Sequence, residues 1–267
     1  MTVRLHKIEG YIQIMYLVEY PDKLLLLDGA SRADISYLRR FIEQDLGRSF
    51  CDLKVVVVTH MHPDHAGGAH RLRQLTGCQV VAANRALDWY HGVDGWLMHL
   101  TDLLLAAWMA NRLKKPWRNL WYSRALNPDH KLNDGECIPE FPEWVVLETP
   151  GHTDRDLSVY YAEQGILYVA DLMVEVKRKL IAPFPIFHPN KYRASLERVF
   201  HMQPTTLLLA HGGERTFDLA AYQHILDTSP QRPVTHWRVT KIKLRSLWRF
   251  ALEKEPIKNG EPKLSVE

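Results

Sequence analysis

The 267-residue sequence predicts an α/β fold in which β-strands alternate with helices. Three observations support this prediction. Short apolar or β-branched runs alternate with segments of helical periodicity. Chemically active side chains directly follow several of these runs, as they do at the edges of α/β sheets. Two stretches of similar strand–helix composition flank a tryptophan-rich segment at residues 84–129. The content of 46% hydrophobic and 24% charged residues is that of a folded globular protein.

The first half of the chain is predicted to contain four strands and two helices. The turn residues Pro21 and Asp22 join the first two strands. The following helix has apolar residues at helical spacing and ends at Gly47, a typical C-terminal cap. The next strand is uniformly β-branched and should be buried on both faces. The predicted elements are strand 11–19, strand 23–27, helix 31–46, strand 55–59, helix 68–77 and strand 79–83.

Residues 84–129 interrupt this alternation, and we interpret them as a helical insertion. The segment contains five of the eight tryptophans and several basic residues. Leu103 to Leu105, Trp108 and Met109 within it are expected to form the core of a small helical layer. Strands and helices resume afterwards. The predicted elements are strand 144–149, strand 157–162, strand 166–170, helix 191–202, strand 206–210 and helix 217–226.

The sharpest chemical signal follows the run of four valines, where the sequence reads HMHPDH. Extended backbone before Pro63 would place His60 and His62 on one side of the chain. Asp64 and His65 follow a bend, so they can face a second point nearby. Imidazole nitrogens and carboxylate oxygens without a thiolate suit zinc, and they suit iron or manganese nearly as well. We therefore predict that these residues bind metal rather than fill the core.

Three further candidate ligands each lie within three residues of the end of a predicted strand. They are His152, Asp171 and His211. Taken singly, each is a weak signal, because a polar residue after a strand usually forms a turn or a cap. Ligand sites in α/β sheets nevertheless collect at the carboxyl ends of strands, so these residues should meet the HMHPDH cluster. Seven candidate ligands exceed the needs of one metal ion, whereas two ions that share one carboxylate would use them all.

Four motifs, THMHPDHAGG, TPGHT, VAD and AHGG, occur in this order and together resemble the metallo-β-lactamase superfamily. The resemblance covers about residues 5–229. It implies an αββα sandwich of two mixed β-sheets flanked by helices, with a dinuclear site on one edge and the insertion as an elaboration. It also implies the ligand assignment. One metal ion would bind His60, His62 and His152, the other would bind Asp64, His65 and His211, and Asp171 would bridge them.

The resemblance implies metal-dependent hydrolysis of a small-molecule substrate, because none of these ligands is replaced. Two divalent ions, zinc in the first place, would lower the pKa of a shared water. The resulting hydroxide would attack an ester, thioester, lactone or related bond. Asp64 could orient the hydroxide and pass a proton to the leaving group, while Asp171 holds both ions. The Gly-Cys-Gly-Arg pattern of glyoxalase II does not follow Asp171, which argues against lactoyl-glutathione but leaves other thioesters open.

Four residues outside the ligand set are candidates for substrate contact. His188 and Tyr192 follow Asp171 in a region that passes over the site in the resembling fold, although a helix-capping role for His188 is favoured. Trp89 and Trp96 could line an apolar pocket for an acyl or aromatic group. The insertion that carries them could equally be packing rather than a lid.

Residues 230–267 are predicted to form a basic amphipathic helix and a loose tail, separate from the domain at 1–229. Residues 230–254 contain seven Lys or Arg and one Glu, so the overall charge of +3 is concentrated there. We favour a helix docked on the body over a contact with nucleic acid or an anionic membrane. The sequence does not define an oligomeric state.

Other functions of the same fold compete with hydrolysis. A mononuclear iron, persulfide dioxygenase-like oxidoreductase would fill only the first metal site. A phosphodiesterase or nuclease would need a basic arm, for which only residues 230–254 could serve. A binding protein that keeps the site without catalysis is less compatible with the intact ligand set.

The sequence also carries a prediction about the compartment. The three cysteines include no close pair, and the N-terminus has no apolar segment of the secretory type. No apolar run is long enough to span a bilayer. We therefore expect a cytoplasmic protein.

Overall fold

The computed structural model describes residues 3–235, which contain two six-stranded mixed β-sheets. In the first sheet, neighbouring strands follow one another in chain order. The first three strands pair antiparallel, and the rest continue in parallel. The strands are β1 (Arg4–Glu9), β2 (Ile14–Glu19), β3 (Leu24–Leu26), β4 (Leu53–Val58), β5 (Gln79–Ala83) and β6 (His130–Leu132).

The second sheet is formed by the second half of the described chain. A small hairpin lies in the connection between two of its strands. Its strands are β7 (Cys137–Ile138), β8 (Phe141–Glu148), β9 (Leu157–Tyr161), β10 (Ile166–Tyr168), β13 (Thr206–Leu209) and β14 (Gly213–Arg215). The hairpin consists of β11 (Val174–Val176) and β12 (Lys179–Ile181). The order across the sheet is β14-β13-β10-β9-β8-β7, and β10 and β13 are the parallel pair. The described chain therefore has one sheet from each half of the sequence.

Helices cover the outer faces of both sheets. They are α1 (Ile35–Arg40), α2 (Pro63–Ala66), α3 (Ala69–Thr76), α4 (Gly92–Arg112), α5 (Pro189–Met202) and α6 (Leu219–Thr228). A π-helical turn, Phe41–Asp45, extends α1, so the predicted helix at 31–46 is present but irregular. These layers confirm the αββα prediction.

The core lies between the two sheets, and strict alternation along each strand builds it. Tyr16 and Val18 of β2 enter this core, whereas Met15 and Leu17 face the layer that contains α1. On the opposite sheet, Trp144 packs into the same inter-sheet cluster. Both faces of the central strands are buried, which explains the uninterrupted valines of β4.

The predicted central strands of both sheets are confirmed. The structure differs from the prediction at the edge strands and in the insertion. Strands β1, β6, β7 and β14 and the hairpin were not predicted. The insertion holds one long helix, α4, and residues 113–129 of the described chain continue without helix or strand. Leu104, Trp108 and Met109 are exposed, so the expectation that they form a core is wrong for these three. Leu103 and Leu105 are half-buried, and Leu103 packs against two clusters of buried residues. The predicted basic helix lies almost entirely outside residues 3–235, and no helix within them is both long and apolar enough to cross a membrane.

Candidate metal centre

Seven side chains from both sheets converge at one edge of the sandwich. They follow β4, β8, β10 and β13, whose carboxyl ends meet there. The side chains form two groups, and within each group the potential ligand atoms lie within 4.8 Å of one another. The first group is His60, His62, His152 and Asp171, and the second is Asp64, His65 and His211. These are the seven residues that the sequence motifs identified.

The carboxylate of Asp171 lies between the two groups. Its Oδ2 is 3.9 Å from His60 Nε2 and 3.5 Å from His152 Nε2. Its Oδ1 is 3.4 Å from His65 Nε2 and 3.5 Å from His211 Nε2. Each oxygen therefore faces a different group, which is the geometry that a bridging ligand requires.

A strained backbone presents this carboxylate. Ala170, the residue before Asp171, is buried and has φ of 46°, in the left-handed region that a residue with a side chain rarely adopts. Such a conformation costs on the order of 1–3 kcal/mol and persists only where the surrounding structure enforces it. The surrounding structure therefore enforces the backbone conformation that places Asp171 between the two groups.

The imidazoles of the first group point their ring nitrogens at a common point. His62 Nδ1 lies 3.1 Å from His60 Nε2 and 2.9 Å from His152 Nε2. Burial lowers the pKa of His60 and the pKa of His62 well below the ordinary value, and the neighbouring imidazoles lower both further. Neutral rings keep a free lone pair, so these two histidines are ready to bind a cation.

The second group has the opposite protonation pattern. Burial alone would raise the pKa of Asp64, but His65 and His211 lower it to about 2. Asp171 behaves in the same way, and its pKa lies well below the usual range. Burial alone would also lower the pKa of His65 and of His211, but the adjacent carboxylates raise both. Protons on the imidazoles thus balance the carboxylates, and a divalent ion that binds here must displace them.

The donor set fits a divalent metal ion. His65 Nε2 and Asp171 Oδ1 are buried, and neither makes a hydrogen bond within residues 3–235, although only 3.4 Å separates them. Buried polar atoms that lack a hydrogen bond are costly, and a cation bound by both atoms would satisfy them. Imidazole nitrogen and carboxylate oxygen are also the donors that zinc, iron and manganese prefer.

Asp28 orients His65 from behind, and it was not among the residues predicted from the sequence. Its Oδ2 lies 2.6 Å from His65 Nδ1 and accepts hydrogen bonds from Thr59 Oγ1 at 2.9 Å and Tyr168 OH at 2.8 Å. Its Oδ1 accepts from the backbone N–H of Gly29. This network turns the Nε2 of His65 toward the second group. The signal in the sequence was an aspartate directly after the leucine run of β3, the same position that the ligands occupy after their strands.

The loop that carries His152 is fixed by hydrogen bonds. His152 Nδ1 lies 2.6 Å from the carbonyl oxygen of Pro185, which leaves Nε2 to face the first group. The Asp156 carboxylate accepts from the backbone N–H groups of Gly151 and Thr153, at 3.0 and 2.7 Å. The turn around His152 is therefore held on both sides.

Tyr192 lies beneath this loop. A β-carbon added at Gly151 would be 2.4 Å from Tyr192 Cα, so only glycine allows this approach. The Tyr192 side chain is fully buried among the residues that pack α5 on the second sheet. Its burial gives no support to the expectation of substrate contact and indicates a role in supporting the loop.

Of the other three candidates for substrate contact, one lines a cavity beside the metal centre and two do not. Trp89 lines a cavity of about 280 Å³ that also borders His60 and Arg155. The Arg155 guanidinium lies 5.5 Å from the centre of the Trp89 ring. Trp96 is exposed on α4, and His188 is half-buried immediately before α5; neither lines this cavity.

The insertion reaches the site through the buried side chain of Asp102. Its Oδ2 lies 3.7 Å from His62 Nε2, on the side of the ring away from the other imidazoles. The Tyr90 hydroxyl donates to Asp102 at 2.8 Å and also contacts the Met61 carbonyl oxygen at 3.1 Å. Burial raises the pKa of Asp102 to about 7. Neither Asp102 nor Tyr90 was predicted as a site residue, because an isolated Asp in an apolar helix carries no motif.

Comparison with known proteins identifies the family. The family model described as the metallo-beta-lactamase superfamily matches residues 10–211. The chain belongs to this superfamily. The matched range includes all seven residues of the two groups.

Curated relatives of this superfamily member are distant. A probable metallo-hydrolase of Bacillus subtilis (strain 168), YflN, is 22% identical over 223 residues, which are 78% of this chain and 83% of the relative. The hydroxyacylglutathione hydrolase of Rhodopseudomonas palustris (strain BisB18) is 24% identical over 198 residues. That match covers 74% of this chain and 62% of the relative, so the chain spans about three fifths of that enzyme.

Solved structures support the fold. A metallo-beta-lactamase superfamily protein from the archaeon Sulfolobus tokodaii superimposes with a TM-score of 0.59 at 18% identity, covering 98% of this chain and 91% of the other. A metallo-beta-lactamase family protein from Thermus thermophilus gives 0.61 at 22% identity, covering 95% and 83%. At these identities the likeness establishes the architecture alone.

Proposed function

We propose that this protein is a metal-dependent hydrolase of a small ester, thioester or lactone. The observation that carries the proposal is the position of Asp171, whose two oxygens face two separate groups of ligand atoms. The names of the B. subtilis and R. palustris relatives, a metallo-hydrolase and a hydroxyacylglutathione hydrolase, add support. We assign the activity to residues 1–229.

Two divalent ions, zinc in the first place, would be held by the two groups. One ion would bind His60, His62 and His152, the other would bind Asp64, His65 and His211, and Asp171 would bind both. When bound, such a pair of ions supplies Lewis acidity and brings the pKa of a shared water near neutrality.

The protein's own side chains supply orientation and proton transfer. Asp64 is ionised at neutral pH, where a carboxyl group of ordinary pKa is already deprotonated. Its carboxylate can accept the proton of the attacking water and deliver it to the oxygen or sulfur that leaves. Asp28 and the Asp156 turn keep His65 and His152 in place, so the ligands need little rearrangement.

The substrate we propose has an apolar part next to the reacting carbonyl. The lining of the cavity that borders His60 includes Met61, Leu87 and Trp89, which suit an acyl or aromatic group, together with charged residues such as Arg85 and Arg155. Lactoyl-glutathione is disfavoured because the Gly-Cys-Gly-Arg pattern does not follow Asp171. Other thioesters, esters and lactones fit the same chemistry.

The test is a panel of chromogenic lactone, ester, thioester, β-lactam and bis-phosphodiester substrates on zinc-loaded protein. Asp171→Ala should lower kcat/KM on the preferred carbonyl substrate by more than about 100-fold, because it removes a ligand of both ions. Asp227→Ala removes an exposed carboxylate of α6 and serves as the matched control with unchanged activity. Elemental analysis should find close to two metal ions per wild-type chain and fewer in Asp171→Ala.

Three results would contradict the proposal. Equal turnover of all substrates by wild type and Asp171→Ala would remove the metal centre from the reaction. One iron per chain, with oxygen uptake in the presence of a persulfide, would support the oxidoreductase instead. Turnover confined to the bis-phosphodiester would support a phosphodiesterase.

A further inference from the structure

Helix α4 exposes its apolar face and buries its small and polar face. The buried residues are Gly95, His99, Asp102, Ala106 and Ala110. On the opposite side, Val93 is 76% exposed and Leu104 is 71% exposed. A surface helix of a globular protein normally has the reverse arrangement. Within residues 3–235, no segment covers this face.

The exposed residues form a continuous stripe along the helix. Spacings of three and four residues place them on one side of α4. We define the outer face of α4 as Val93, Trp96, Leu97, Leu100, Leu104 and Trp108. Four of these side chains are exposed, and Leu97 and Leu100 are half-buried between them. The stripe contains no charged residue over about four helical turns.

The segment that follows the outer face is strongly basic. Residues 103–128 contain no Asp or Glu, and they contain five exposed or half-buried cations: Arg112, Lys114, Lys115, Arg118 and Arg124. The Arg112 guanidinium lies 4.9 Å from the centre of the Trp108 ring, at the junction of the apolar and basic surfaces. Trp117, 85% exposed, lies within the basic stretch. Arg112 therefore places a cation directly beside the apolar stripe, and the other four cations follow it in the chain.

We propose that the outer face of α4 docks this protein on the surface of an anionic lipid membrane. Trp and Leu side chains of such a face enter the boundary between headgroups and acyl chains. Lys and Arg beside them are attracted to anionic headgroups. The helix lies along the surface, since it is not apolar enough to cross a membrane.

Two other occupants explain the surface less well. A second copy docked parallel on the same face would bring two basic 103–128 segments against one another, and like charges oppose that contact. An antiparallel copy would cover the apolar stripe, but Asp94 is the single exposed acidic residue that α4 would offer to the five cations of its partner. A nucleic acid would engage the cations and tryptophans but would leave Val93 and Leu104 in water. An anionic bilayer satisfies both the aliphatic and the basic parts.

Vesicle flotation with the full-length protein tests the proposal. Wild type should bind vesicles of phosphatidylcholine mixed with phosphatidylglycerol, bind pure phosphatidylcholine more weakly, and dissociate as salt is raised. The Leu104→Glu/Trp108→Glu variant should bind anionic vesicles at least about tenfold more weakly, because two charges would enter the apolar boundary. Leu219→Glu is the matched control: it changes a 59% exposed leucine on α6 and should leave binding unchanged.

A second double variant, which reverses two charges, tests the basic part of the surface. Its result does not depend on whether Leu104→Glu/Trp108→Glu folds. Arg112→Glu/Lys114→Glu leaves the apolar stripe intact and should weaken binding by about fivefold or more for each reversed cation. Circular dichroism and thermal melting should match wild type for every variant that enters the comparison.

Several outcomes would overturn membrane docking. One is a wild type that does not float with anionic vesicles, and another is a pair of double variants that both bind as well as wild type. Residues 236–267 are intact in every variant, so binding that depends on them alone would persist and count against α4. A dimer in analytical ultracentrifugation that Leu104→Glu/Trp108→Glu dissociates would assign the face to a second copy. Tighter binding of an oligonucleotide than of anionic vesicles would assign it to nucleic acid.

Discussion

Asp28 shows how much of the metal centre depends on a residue that binds no metal in our assignment. It receives hydrogen bonds from Thr59 and Tyr168 and contacts His65 Nδ1, so it joins both sheets behind one ligand. Asp28→Asn keeps the shape but replaces one acceptor oxygen with a donor. We expect a loss of metal affinity of about 10–100-fold, since supporting carboxylates of metal-binding histidines have effects of this size. Competition with a chromogenic chelator measures it.

Asp34 provides the matched control for this substitution. It is as buried as Asp28 and accepts hydrogen bonds from Ser31 and the Tyr11 backbone, but among the described residues it makes no hydrogen bond to any of the seven candidate ligands. Asp34→Asn should lower the free energy of unfolding by about 1–3 kcal/mol and leave metal affinity unchanged. Equal losses of affinity in the two variants would mean that Asp28 acts through general stability rather than through His65.

The seven candidate ligands could be identified from the sequence, whereas the residues that support them could not. HMHPDH concentrates histidines and an aspartate after a buried strand, and few structural roles other than metal binding explain such a cluster. Asp28 after a leucine run has an ordinary alternative as a turn residue. Its function depends on Tyr168, which is 140 residues away in the chain and reaches it only once the two sheets pack.

At the scale of elements, the loop between β8 and β9 is the most constrained part of the site. Gly151→Ala would place a β-carbon 2.4 Å from Tyr192 Cα, and the loop with His152 would have to move. A displacement of about 1 Å in a catalytic group can cost roughly 100-fold in rate, and we expect a loss of that order in kcat/KM. Steady-state kinetics on the preferred substrate and zinc titration measure the effect.

Gly135→Ala serves as the comparison, because Gly135 has φ of 79° but no atom within 4 Å of the added β-carbon. That substitution should cost about 1 kcal/mol or more through backbone strain and should leave kcat/KM unchanged. If both alanine variants lose activity equally, the close approach to Tyr192 does not position His152.

The elements that the sequence did not reveal are those with little pattern of their own. Strands β7 and β14 have two and three residues, too few to display an alternation, and they exist because a longer neighbour offers a free edge. Helix α4 was expected within the insertion, but apolar periodicity gives no information on which face meets the body. Here Gly95 and Ala106 face inward since they allow close packing, and the bulkier residues remain outside.

At the scale of the whole molecule, the candidate metal centre connects the two sheets. His60, His62 and His65 follow a strand of the first sheet, and His152, Asp171 and His211 follow strands of the second. A cation held between them would resist separation of the sheets. Metal binding should therefore raise the stability of the entire sandwich rather than of one loop.

Removal of metal with a chelator should lower the melting temperature. A ligand at about 100 times its Kd contributes roughly 2.7 kcal/mol, which corresponds to about 5–10 °C for a chain of this size. The shift should shrink between about pH 8 and about pH 5.5, because His65 and His211 have raised pKa values and their protons compete with the metal as pH falls. Thermal melts with and without zinc at each pH measure both effects. Asp171→Ala should lose most of the shift; a variant that keeps the whole of it, or a wild type that melts identically in chelator and in zinc, would show that no metal links the sheets.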